Sequence, residues 1–191
     1  MRVVLATANP DKARELAGLL AGFDVVPRPA ALPDVEEDAD TLEGNARLKA
    51  VAVSDATGEL AVADDTGLEV DALGGRPGVY AARYAGPGAT YADNVAKLLE
   101  ELAGVPAPAR TARFRTVAIA RFPDGREVVA EGVVEGVIAE APTGGDGFGY
   151  DPVFVPAGGD SRTFAQMTGD EKARLSHRGR ALRALAAELA P

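Results

Sequence analysis

The spacing of apolar and polar positions changes several times along the chain, and each change marks an element. Residues 2–6 are a short apolar run, read as a strand, that breaks at Thr7-Ala8-Asn9-Pro10-Asp11-Lys12. There Asn9 can cap a helix that has Pro10 at its first position. Leu16, Leu19 and Leu20 then share one helical face, and Gly22 marks the stop. Residues 23–27 read as a second strand. The acidic stretch from Leu32 to Asp40 reads as a loop, and Thr41 as the cap of a helix ending near Gly58. Residues 60–63 form a short apolar strand that runs into Asp64-Asp65-Thr66-Gly67, which puts two carboxylates at its carboxyl end ahead of a second extended stretch, 68–73. Thr90 is placed to cap a helix through Leu98 and Leu102. Segments 111–122 and 126–139 alternate on either side of Pro123-Asp124-Gly125, a hairpin pattern. Residues 144–151 hold too many glycines for a regular element, Thr168 and Glu171 have the spacing of a capping box, and Ser176 can cap a last helix.

Strands alternating with helices, plus a hairpin, predict one α/β domain over residues 1–191 with a mixed, twisted sheet. Composition agrees: 191 residues that are 47% hydrophobic and 26% charged can build a single core. No apolar run reaches the roughly 18 residues that span a bilayer, and the first residues lack a signal-peptide core. The expectation is a cytoplasmic protein with no membrane partner. The chain has no cysteine and one histidine, so a metal site has to be built from oxygen ligands. A net charge of -9 argues against nucleic acid as a partner. A small anionic substrate remains open, provided local cations or a metal offset the field.

Four segments carry candidate chemistry. The start of the first helix offers an anion its N–H groups, its dipole and Lys12, although an ordinary capped helix has the same sequence. Asp64-Asp65 can hold Mg²⁺, with Glu36 or Glu37 as a second donor, or can be two solvated turn residues. Asp65-Thr66-Gly67 also spells the aspartic-protease triplet, which would need a homodimer and would leave the other segments without a role. Gly147-Phe148-Gly149-Tyr150-Asp151 sets an aromatic face between glycines, or a core phenylalanine in a turn. Lys172 with Ser176-His177-Arg178 places hydrogen-bond donors near a helix junction. Such donors satisfy a 6-oxo purine and clash with the 6-amino group of adenine.

Together with Gly75-Arg76-Pro77-Gly78-Val79-Tyr80-Ala81-Ala82-Arg83-Tyr84, these segments resemble the inosine triphosphate pyrophosphatase family, in that family's order, from residue 5 to about 183. The resemblance implies an elongated α/β fold with two lobes flanking a nucleotide-binding cleft, a homodimer, and Mg²⁺-dependent hydrolysis of ITP, dITP and XTP to the monophosphate and pyrophosphate. It puts Thr7, Ala8, Asn9, Pro10, Asp11 and Lys12 at the triphosphate of a purine nucleoside triphosphate. Asp65 becomes proton acceptor and metal ligand, Glu36 the other metal ligand, and Thr66 a neighbour of the substrate, a threonine where serine is usual. Phe148, Gly149, Tyr150, Asp151, Lys172, His177 and Arg178 fall at the base. Asp64 either orients Asp65 or completes the metal site, and the general base is not settled between them. A nucleotide sensor without turnover and a house-cleaning enzyme for modified pyrimidine nucleotides are the alternatives.

Overall fold

The computed structural model describes residues 1–189. Among these, β1 (Arg2–Leu5), β2 (Asp24–Val26), β3 (Ala61–Val70), β4 (Pro77–Gly78), β5 (Thr111–Arg121), β6 (Glu127–Ile138) and β7 (Phe154–Pro156) form a mixed sheet of order β2-β1-β3-β5-β6-β7, with β4 beside β3. β1 is parallel to β2, with Val3 opposite Val25, and parallel to β3, with Val4 opposite Ala61. β3 is antiparallel to β4 and β6 to β7. The helices are α1 (Pro10–Leu19), α2 (Leu42–Thr57), α3 (Tyr91–Glu101), α4 (Gly169–Leu175) and α5 (His177–Leu189). The architecture is the expected α/β one.

The chain divides into two compact units, and β3, β5 and β6 contribute residues to both. Among the described residues, the first comprises 1–65, 116–132 and 178–189. Its core joins Val3 and Leu5 of β1, Leu60 and Val62, Leu16 and Leu20, and Ala181, Leu182 and Leu185 of α5. Leu182 is fully buried, so truncating it to alanine would cost about 2–5 kcal/mol. The second comprises residues 66–115 and 133–177, and it packs Leu68, Val70, Leu98, Leu102, Phe114, Ile138, Phe154 and Phe164 together.

Local signals set the helix starts. The Asn9 side chain accepts from the N–H groups of Asp11 and Lys12, Thr41 caps α2, and Gly58 ends it in the left-handed conformation. Thr90 with Asp93 and Thr168 with Glu171 form capping boxes. The hairpin closes at the expected place, with Phe122 N–H donating to the Arg126 carbonyl at 2.9 Å. Three expectations are corrected. α1 ends at Leu19, ahead of Gly22, with Leu20 as its cap, whose N–H still reaches the Leu16 carbonyl before the chain turns. Asp64-Asp65-Thr66-Gly67 is no turn: β3 runs unbroken through it, and the extended stretch gives way at Asp71 to a short 3-10 turn. Residues 154–156, unassigned from sequence, pair with β6.

Candidate active site

β3 alternates faces, and this divides the acidic pair. Leu60 and Val62 point to the core of α1 and α5, and Asp64 follows them in register. Its carboxylate meets Arg178 of α5, with Nε and Nη2 both 3.0 Å from Oδ2, and Lys12 of α1 at 3.6 Å. Asp65 points the other way, to Lys49 of α2 at 3.0 Å. Lys12 Nζ also lies 3.9 Å from Asp65. Lys49 Nζ is 3.0 Å from Glu37 as well, and Arg178 Nη1 is 2.5 Å from Glu15. The groups therefore alternate in charge along one line: Glu37, Lys49, Asp65, Lys12, Asp64, Arg178, Glu15.

The two aspartates are buried to 1% and 6% exposure, which removes the solvated-turn reading. Their ionisation differs. Burial alone would raise Asp64, but Lys12, Arg178 and Lys49 outweigh it and hold that carboxyl well below the ordinary range. Burial also raises Asp65, and here the pull of Lys49 and Lys12, opposed by Glu37, leaves the carboxyl above its ordinary value of 3.8. Lys12 is lowered by burial, which Asp64 only partly offsets. Asp65 is engaged by the Lys49 and Lys12 ammonium groups, an environment unlike the proton-sharing carboxyl pair that the protease triplet would need.

The acidic loop is held against α2. The Ala39 N–H donates to Asn45 Oδ1 at 3.0 Å, and a Cβ on Gly44 would stand 2.6 Å from that of Ala39, so glycine is what lets the loop come this close. This placement brings in Glu37, whereas Glu36 is exposed. At the start of α1 the structure changes the expected chemistry. Pro10 has no N–H, Asp11 and Lys12 donate to Asn9, and Ala13 donates to the Asn9 carbonyl, so an anion meets the dipole and the Lys12 ammonium rather than open N–H groups. Thr7 accepts from the Asn9 N–H at 3.2 Å, and Ala8 and Pro10 are exposed.

The second unit carries the glycine-rich segment. Asp151 Oδ2 accepts the Phe148 N–H at 2.8 Å and lies 2.5 Å from Lys172 Nζ. A Cβ on Gly147 (φ +74°) would collide with the same oxygen at 2.2 Å, so only glycine permits this turn. The Lys172 ammonium lies 4.8 Å from the Phe148 ring centre. Tyr150 is buried and donates its hydroxyl to the Ala81 carbonyl at 2.9 Å, a structural anchor, while Gly149 only shapes the turn. His177 is buried and stacks on Phe114 at 4.4 Å. Thr66 follows Asp65 on β3, half-buried. Of the residues assigned to the base, Phe148, Asp151 and Lys172 are brought together, and Arg178 is grouped with the acidic pair through Asp64 and Glu15.

Lys49 and Glu15 were missed from sequence. The trace of Lys49 is its register: it lies on the same helical stripe as Leu42, Ala46 and Val53, and a lysine on a buried face needs a charged partner.

The sequence model of the Ham1 family matches residues 3–188. The chain belongs to the Ham1 family. It is 55% identical over 193 residues to a dITP/XTP pyrophosphatase of Nitratidesulfovibrio vulgaris, covering 96% of this chain and 93% of that one. A Thermus thermophilus protein of the same name is 52% identical over 189 residues, with 97% and 90% covered. Among solved structures, a HAM1 protein from Coxiella burnetii superposes with a TM-score of 0.87 at 38% identity, covering 99% of this chain and 98% of its own. The likeness to these Ham1 relatives runs through both units.

Proposed function

We propose that this Ham1 protein hydrolyses the non-standard purine nucleoside triphosphates ITP, dITP and XTP to the monophosphate and pyrophosphate, with Mg²⁺, as a cytoplasmic homodimer. By family and by near-full-length identity to relatives of that name, it is an enzyme, a nucleoside triphosphate pyrophosphatase. The observation that carries the proposal is the split of the acidic pair.

Asp65, whose carboxyl burial raises above its ordinary value, is the group suited to accept a proton from the attacking water. Asp64 stays ionised and fixes Lys12 and Arg178. Lys12 and Lys49 supply positive charge that offsets the phosphates as the bond breaks, which is most of what phosphoryl transfer asks of a protein. Glu37 and Asp65 both reach the Lys49 ammonium at 3.0 Å, so two carboxylates, hard oxygen donors of the kind Mg²⁺ takes, lie near each other. Among the described residues no group of three or more acidic, histidine or cysteine side chains could hold an ion, so Asp65 and Glu37 would hold it together with water and phosphate oxygens. When bound, Mg²⁺ neutralises phosphate charge and polarises the bond to be cleaved. At the base, Phe148 provides a stacking face and Lys172 only donors, which favours a 6-oxo purine over adenine.

Incubation with ITP and Mg²⁺ tests the reading. The expected products are IMP and pyrophosphate. IDP and orthophosphate would contradict it, and preference for modified pyrimidine nucleotides in a wider panel would move the substrate class.

A further inference from the structure

Phe148 lies between two glycines, and its main chain is tied down by the bond from its N–H to Asp151. Nothing in that arrangement sets the orientation of the ring. The Lys172 ammonium and the ring of Tyr91, whose centre is 5.8 Å away with the planes tilted by 40°, both lie against it. Tyr91 is the first residue of α3. The cap beneath it is reciprocal, since the Asp93 N–H donates to the Thr90 hydroxyl oxygen while the Thr90 N–H and hydroxyl donate to Asp93. This pins the Tyr91 backbone beside Phe148 and leaves the residue 42% exposed. A core role does not account for so exposed an aromatic side chain.

We propose that Tyr91 is a positioning and specificity residue of the base site, holding the Phe148 ring at a fixed tilt so that a flat purine stacks on a platform already oriented. The inference rests on the reading of Phe148 as that platform. Without Tyr91 the ring turns more freely and the incoming base must order it, a cost that falls on binding and leaves the chemistry at Asp65 unchanged. A tilted aromatic pair corresponds to roughly three- to tenfold in affinity.

The chain contains no tryptophan, so Tyr91→Trp introduces a single fluorescent reporter. Its emission is expected to change saturably with IMP and to stay constant with pyrophosphate. Tyr91→Ala is expected to raise KM for ITP by roughly three- to tenfold with kcat within about twofold, and Tyr91→Phe to keep both near wild type. Emission indifferent to IMP, an unchanged KM in Tyr91→Ala, or a fall in kcat in its place would overturn the proposal. If the wild-type protein does not cleave ITP, the substrate reading fails by itself. The reporter, titrated with a panel of nucleoside monophosphates, then still decides whether Tyr91 belongs to a base site, and no response to any of them would overturn the inference.

Discussion

The two units bury their charges in different ways. In the first, acids and bases alternate from Glu37 to Glu15, so each interior charge has two neighbours of opposite sign. In the second, Asp151 and Lys172 meet at 2.5 Å beside the rings of Phe148 and Phe164. An alternating line can lose or lend a cation and remain partly balanced. A pair among aromatic rings has less to fall back on. The first arrangement suits a site that receives a highly charged phosphate chain, and the second suits one that reads a flat, nearly neutral base.

The largest effect is expected at Asp65. Asp65→Asn should lower kcat by about 10²- to 10⁴-fold, the usual worth of a positioned general base, with little change in thermal unfolding because the amide oxygen still accepts from Lys49. Turnover with ITP and calorimetry on the same preparation check both halves. Next, Lys172→Met should destabilise the protein by about 3–5 kcal/mol in urea unfolding, since it takes the counter-ion from a buried carboxylate, and adding Asp151→Asn should recover most of the loss. Lys49→Met should cost less, because Lys12 still stands 3.9 Å from Asp65. Equal losses at Lys172 and Lys49 would erase the contrast between the units.

A smaller effect separates the two glutamates. Glu37→Gln should raise the Mg²⁺ concentration for half-maximal activity by about tenfold or more, and Glu36→Gln should leave it within about twofold. The reverse order would favour Glu36, the ligand implied by resemblance. The smallest is a pH effect on stability. The folded Asp64 carboxyl is depressed, so its contribution is present above the unfolded value near 3.8 and is lost as pH falls below that toward the folded value. Asp64→Asn should therefore flatten the fall in melting temperature below about pH 4. Asp65 has the opposite sign, since its raised carboxyl makes ionisation unfavourable to the fold as pH climbs.

What the sequence made legible is mostly local. Asn9, Thr41, Thr90 and Thr168 cap the helices they precede, because capping bonds span two or three residues. The course of β3 was not legible. Asp-Asp-Thr-Gly has the composition of a turn, and what lets it continue as a buried strand comes from residues 12, 49 and 178, none of them near in sequence. β7 escaped for the same reason, being three residues that gain a strand's geometry from β6. At the site, the residue types of the acidic pair and of Lys12 were enough to mark them. The partners of Arg178 and His177 were not, since only the fold assigns one to Asp64 and the other to a stack on Phe114.

The division of labour within the acidic pair is the centre of this account, and site-resolved carboxyl titration by ¹³C NMR measures it directly. Asp65 is expected to titrate above 3.8 and Asp64 well below it. An Asp64 carboxyl that takes up its proton at higher pH than Asp65 would contradict it.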